Sequence, residues 1–102
     1  MDHRLVAIRK LIRADAWKIL DHVYSEHIGQ GQFDVDDVMY SIMNGCITKK
    51  QKDSVKAALD GYYYTINGPA QNGLGIESQG KIVDLGNGRL YLIFNAYKCK
   101  EN

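Results

Sequence analysis

Proline occurs once, at Pro69, and cysteine twice, at Cys46 and Cys99, in a chain of 102 residues. Two cysteines so far apart exclude the disulfide framework of small secreted scaffolds. A cytoplasmic protein with two free thiols is the default. No apolar run approaches the roughly 20 residues needed to span a bilayer, so no membrane partner is expected. The opening Met1-Asp2-His3-Arg4 leads into an amphipathic stretch and not into the apolar core of a secretory signal. The formal net charge is only +1. That balance lacks the strong basic excess of a dedicated nucleic-acid binder, and no DNA partner is expected for this chain alone. Internal repeats, low-complexity tracts and linkers are also missing, so residues 1–102 read as one domain.

What is present suits a packed core. Apolar residues make up 45% of the chain, and seven Tyr, two Phe and one Trp supply large groups to bury. A domain of this length buries roughly two thirds of the surface its unfolded chain exposes. The charges are uneven. Arg4, Arg9, Lys10, Arg13 and Lys18 crowd the first segment, Lys49, Lys50, Lys52 and Lys56 form a second cluster, and Lys98 and Lys100 close the chain. Each cluster reads either as a local basic face or as ordinary solvated surface.

Asp2 is placed to cap a helix beginning at His3. Leu5, Ile8, Leu11 and Ile12 recur at helical spacing. That helix either runs on through Val23 or breaks near Ala14-Asp15-Ala16, with Trp17-Lys18-Ile19 extended and Asp21 capping a new helix to Ile28. Gly29 is expected to end this helix in the left-handed conformation. Asp34 is the N-cap of the clearest helix, with Asp36 and Asp37 in its first turn and Val35, Val38, Met39, Ile42 and Met43 as its apolar stripe. Phe33 is placed to staple onto Val38, and Asn44-Gly45 ends the helix.

From Cys46 the pattern changes. Cys46-Ile47-Thr48 reads as an edge strand, and Asp53 to Leu59 as a short helical turn or a loop. Tyr62 to Ile66 is aromatic and β-branched, as strands are. Asn67-Gly68-Pro69 and Asn72-Gly73 signal turns, with Gly68 and Gly73 at positive φ. Leu74 to Ser78, Lys81 to Leu85 and Arg89 to Tyr97 read as strands separated by Gln79-Gly80 and Gly86-Asn87-Gly88. The expected fold is therefore α+β, with two or three N-terminal helices packed on a C-terminal antiparallel β-meander. On the last strand, alternation assigns Leu90, Leu92, Phe94 and Ala96 to the helix side. Tyr91, Ile93, Asn95 and Tyr97 fall on the other, which is either a binding surface or covered by the loop before Tyr62.

His22 and His27 flank a Glu on one helix but stand five residues apart, where a zinc helix needs four, so no metal site is expected. Gly86-Asn87-Gly88-Arg89 precedes no helix and is not a phosphate loop. No cofactor signature is present. The last strand is richer: Arg89, Tyr91, Asn95 and Tyr97 alternate along it and Lys98 follows. Phenol rings and cations on an open sheet can stack bases and neutralise phosphate, although the same residues occur on any half-exposed sheet.

The order of elements resembles the MqsR-type mRNA interferase toxins and a wider group of uncharacterised small domains with the same RelE-like layout. Arg4-Leu5 through Lys10-Leu11 looks like the MqsR first helix. Phe33-Asp34-Val35-Asp36-Asp37-Val38-Met39-Tyr40-Ser41-Ile42 looks like a later helix of those proteins. Trp17 to His22, Asn44-Gly45 and Asn95-Ala96-Tyr97 fit landmarks of the uncharacterised group. The resemblance implies a metal-independent endoribonuclease or RNA-binding domain, with mRNA as substrate and an antitoxin protein as partner. In such a reaction a ribose 2′-OH attacks the adjacent phosphate, which needs a base, an acid and cations. By resemblance, Lys98 stabilises charge, Tyr97 orients, Arg89 clamps phosphate and His22 is an acid or base. Lys49, Lys50, Lys56, Lys81 and Tyr91 would bind RNA, with Lys81 standing where the family carries a tyrosine. A non-catalytic protein-interaction domain of the same fold is the alternative.

Overall fold

The computed structural model describes residues 3–99. The proposed Asp2 cap and the Lys100 end of the C-terminal basic cluster lie outside the described residues. The fold is α+β, with helices in the first half and strands in the second.

Helix α1 spans His3–Arg13 and buries Leu5, Ile8 and Ile12. It stops at Asp15, whose φ of 57° is left-handed and cannot propagate a helix. The chain then extends as β1, Trp17–Ile19, so of the two readings the break near Ala14–Ala16 holds and the continuous helix through Val23 does not. The next helix begins as a single turn, α2 (Asp21–Val23), and continues as a π-helical turn, Tyr24–Ile28. Gly29 departs from expectation: its φ is −64°, and Gly31, at φ 75°, provides the left-handed step instead. Helix α3 spans Val35–Asn44 and starts as expected. Asp34 accepts from the Asp37 backbone N–H, and Asp37 accepts from that of Asp34. This reciprocal box satisfies donors that a helix start would leave unpaired.

Strands β2 (Cys46–Lys52), β3 (Tyr62–Pro69), β4 (Gly75–Asp84) and β5 (Arg89–Lys98) form the expected antiparallel meander. β1 joins its far edge parallel to β5, which makes a mixed five-stranded sheet of order β1-β5-β4-β3-β2. β2 is longer than the three residues read from sequence, because its lysine-rich half still pairs with Tyr62 to Thr65. Helices α1 and α3 cover one face of the sheet. Ile8, Val38, Ile42, Ile66, Ile76 and Ile93 are fully buried between the layers.

Three turn or facing assignments are corrected. Asn67-Gly68-Pro69 is strand, not turn, and the reversal comes at 70–74, where Gly73 has φ 87°. Gly68 is required by proximity. A Cβ there would lie 2.0 Å from the Ser41 carbonyl oxygen, so this glycine lets β3 touch α3. Gln79-Gly80 is no turn either, since it lies within the continuous ten-residue β4.

The third correction concerns β5. Tyr91 and Ile93 face the helices and are fully buried, whereas Leu92 and Phe94 face away. Gln79 pairs with Asn95 but Gly80 pairs with Ile93, so Phe94 is an extra residue and the strand bulges there. The bulge resets the phase, and Ala96 returns to the core side as expected. The cause is visible at Gly80. A Cβ there would sit 2.4 Å from Tyr91 Cζ, so the phenol ring occupies the space a side chain would take.

Gly80→Ala is therefore expected to destabilise the domain by about 3 kcal/mol, at the upper end of overpacking costs. Adding Tyr91→Leu is expected to recover most of that loss in urea unfolding. If the double variant is as unstable as Gly80→Ala alone, the ring is not what Gly80 accommodates.

Candidate nucleic-acid interface

Strand alternation places a second set of side chains on the sheet face opposite the helices. Tyr63, Thr65 and Asn67 come from β3, Glu77, Gln79 and Lys81 from β4, and Leu92, Phe94, Asn95 and Tyr97 from β5. Lys18 and Lys49 flank this face from the two edge strands, opposite Leu92 and Thr65. Both lysines are exposed.

A polar ladder crosses the middle of the face. Asn95 Nδ2 donates to Gln79 Oε1 at 3.4 Å, and Gln79 Nε2 donates to Thr65 Oγ1 at 3.4 Å. Asn67 Nδ2 donates to Thr48 Oγ1 at 2.8 Å, and the Cys99 thiol donates to Asn67 Oδ1 at 3.2 Å. Burial, then the nearby Glu77 charge, pushes the Cys99 thiol above its ordinary pKa. The two long amide contacts leave hydrogen-bonding capacity on Gln79 and Asn95.

Next to the ladder lies an aromatic cup. Tyr63 and Phe94 meet edge to face, with ring centroids 5.2 Å apart. The Tyr63 hydroxyl donates to Gln51 Oε1 at 2.9 Å, which fixes the ring's outer end. These rings, with Leu20, Leu92 and Val55, line an open cavity of about 400 Å³. Its polar wall is an ion pair: Lys81 Nζ lies 3.1 and 3.2 Å from the two Asp53 oxygens and 5.6 Å from the Phe94 ring centroid. Asp53 also accepts from the backbone N–H groups of Val55, Ala57 and Ala58, at 3.3, 2.9 and 2.8 Å. Burial alone would raise its pKa. The Ala58 N–H, the Lys81 ammonium and the Ala57 N–H outweigh that and hold the carboxyl below its ordinary value. The loop before Tyr62 thus covers one end of the face through Asp53; beyond it Gln79, Asn95 and Tyr97 are half-buried and Thr65 lies buried beneath its neighbours.

The residues expected at the site are dispersed. Tyr91 is not on the surface at all. It is fully buried, burial raises its pKa, and no described residue bonds its hydroxyl. Lys81 is buried and paired with Asp53, so it has no free charge to offer phosphate. Tyr97 does lie on the outer face, opposite Glu77. Lys98 pairs with Ile76 and so shares the helix-side phase. Arg89 also lies on the helix side, beside α1, at the other end of the ten-residue β5 and so about 30 Å from Lys98. His22 is exposed on α2, beyond edge strand β1. Among the lysines, Lys49 flanks the outer face, Lys50 lies 4.2 Å from the Tyr62 ring centroid on the other side, and Lys56 is exposed in the covering loop.

Sequence reasoning missed Tyr63, Phe94, Gln79 and Asp53 as site residues. The run Tyr62-Tyr63-Tyr64 held a signal for the first: in a strand the middle ring must point opposite to its neighbours. Nothing local marks Asp53, whose partner is 28 residues away. No family model matches the chain, and neither curated proteins nor solved structures provide a match.

Asp53→Ala strands the Lys81 ammonium in a buried site, and about 3–5 kcal/mol of stability is expected to be lost. Asp53→Ala with Lys81→Met is expected to restore most of it. The sign with pH follows from the lowered carboxyl. Its contribution is intact above the unfolded carboxyl pKa of about 3.9 and is lost as pH falls through the lower folded value. The melting temperature of the double variant should therefore fall less steeply than wild type between about pH 4 and pH 2. Parallel acid limbs would show that the pair contributes nothing.

Proposed function

We propose that this domain binds single-stranded RNA on its outer sheet face and does not cleave it. The observation that carries the reading is the helix-free face itself. It sets Tyr63, Phe94 and Tyr97 beside the Thr65–Gln79–Asn95 ladder, with Lys18 and Lys49 at its two edges.

Each part has a chemical task. Aromatic faces on a sheet stack two or three unstacked bases, at roughly 1–3 kcal/mol per base. Amides beside those rings can hydrogen-bond base edges and the ribose 2′-OH, the group that separates RNA from DNA. The edge lysines neutralise phosphate and position the strand. The Asp53–Lys81 pair contributes no net charge and holds the covering loop and the cup in shape.

Cleavage would need a base, an acid and a phosphate clamp within hydrogen-bond reach of one phosphodiester. Arg89, Lys98, Tyr97 and His22 belong to four separate places, so binding is the part of the toxin-like reading that the geometry favours.

The test is fluorescence anisotropy with labelled eight-nucleotide oligouridine and oligoadenine RNA and their DNA counterparts. Wild type is expected to bind RNA more tightly than DNA and to leave it intact. Tyr97→Leu and Tyr63→Leu should each weaken binding by about 5- to 100-fold. Lys98→Ala, off the face, should change it little. The salt slope should be about −1.4, for two phosphates neutralised on a single strand. No RNA binding, or a loss with Lys98→Ala as large as with Tyr97→Leu, contradicts the proposal.

A further inference from the structure

Helix α1 has a second face that the described residues cover only in part, with Val6, Ala7 and Leu11 half-buried. Leu5, Ile8 and Ile12 point into the core. His3, Val6, Ala7, Lys10 and Leu11 fall at i, i+3, i+4, i+7 and i+8, which is one stripe of a helix. With Leu59 of the covering loop, Ile82 of β4 and Arg89 of β5, this stripe lines a groove with a cavity volume of about 470 Å³. Leu59 remains 42% exposed beside it, so the groove floor reaches solvent.

The charge of the groove has one sign. Its apolar floor is Val6, Ala7, Leu11, Leu59 and Ile82, and its charged or titratable lining groups are His3, Arg4, Lys10 and Arg89. No acid lines it among the described residues. Two acids stand next to lining residues. Asp60 pairs with Arg4 at 2.9 Å and accepts from the Tyr64 hydroxyl, while Asp84, across the strand pair from Arg89, accepts from the Gly86 backbone N–H at 2.8 Å. With Arg4 already paired, Lys10 and Arg89, which make no ion pair among the described residues, are the rim charges left to attract a carboxylate.

We infer that the groove docks an acidic amphipathic segment of a partner protein, with apolar side chains on the α1–Leu59 floor and carboxylates against Lys10 and Arg89. Charge complementarity selects the sign, and the apolar floor selects the class. A nucleic-acid backbone would satisfy the cations but leave Val6, Leu11 and Leu59 in water. A small amphiphile needs a site that buries 70–90% of its surface, which an open groove does not give. Helical and extended segments both recognise such grooves through spaced apolar anchors.

This surface is on the helix side, away from the RNA face, so the two proposals fail independently. The experiment is selection of twelve-residue peptides from an unbiased phage-displayed library on the intact protein, followed by fluorescence polarisation of the selected peptides. Enrichment of Asp and Glu interleaved with Leu, Ile, Phe or Trp is expected. Lys10→Glu/Arg89→Glu should weaken these peptides at least about tenfold, by turning attraction at the rim into repulsion. Leu11→Asp should do the same. Lys10 and Arg89 are exposed and Leu11 is half-buried against the core, so circular dichroism checks that each variant remains folded. The inference is overturned by selected peptides without acidic enrichment, or by peptides that bind the charge-reversed variant equally. It is also overturned if Lys10→Glu/Arg89→Glu abolishes RNA binding, or if the groove is filled by a second copy of the chain, seen as a dimer in sedimentation that Leu11→Asp dissociates.

Discussion

The seating of Tyr91 against Gly80 decides which side chains of β5 reach solvent. The ring fills the space where a β4 side chain would stand, and it turns Tyr91 and Ile93 into the core. Burying an aromatic ring of this size contributes roughly 1.5–3 kcal/mol. The unpartnered hydroxyl costs a comparable amount, about 1–3 kcal/mol. The ring's shape, not its polar end, therefore accounts for its place, and a Phe, which lacks the unpaired hydroxyl, would be the more stable. Once Tyr91 faces inward, strand periodicity sends Leu92 outward, and the extra residue Phe94 joins it. The aromatic cup with Tyr63 follows from that one phase choice.

The outer face is held in shape by a different kind of contact. β2 and β3 are joined by a loop with few apolar anchors of its own, since Val55 and Leu59 are both exposed. Asp53 fastens it instead, gathering three backbone N–H groups and the Lys81 ammonium on one carboxylate. A buried pair of this kind is a weak source of net stability, but breaking one half of it is costly. Its consequence is positional: the loop lies over one end of the sheet and walls the cup. The same loop carries Leu59 round to the helix side, where it meets α1. The two candidate surfaces thus share a structural element but no side chain.

Much of the fold was legible from periodicity and capping. The Asp34 cap and the run of C-terminal strands announced themselves locally, while the break after α1 and the extended Trp17–Ile19 piece were one of two readings that the pattern allowed. The misreadings share a physical cause. Gly68 and Gly80 were taken as turn residues, yet each is glycine because another element lies against it, Ser41 in one case and Tyr91 in the other. Such proximity is a tertiary fact, and a single sequence carries no trace of it. The facing of β5 failed for the same reason, because a bulge shifts alternation by one residue and reverses the side on which it is read. Lys81 looked like a free cation because its partner lies far away in the chain. The site was legible as a kind of surface, a strand face with phenol rings and amides, but not as a set of residues.

The central claim is that nucleic acid meets the sheet on the side away from the helices. Titrating uniformly ¹⁵N-labelled protein with eight-nucleotide RNA, and following its backbone and side-chain amide resonances, tests that directly. Shifts concentrated at Tyr63, Gln79, Phe94, Asn95 and Tyr97, including the Gln79 and Asn95 side-chain amides, are the predicted result, with α1 and α3 undisturbed. Shifts centred on His22, Lys98 or Arg89, with the outer amides unmoved, would contradict it.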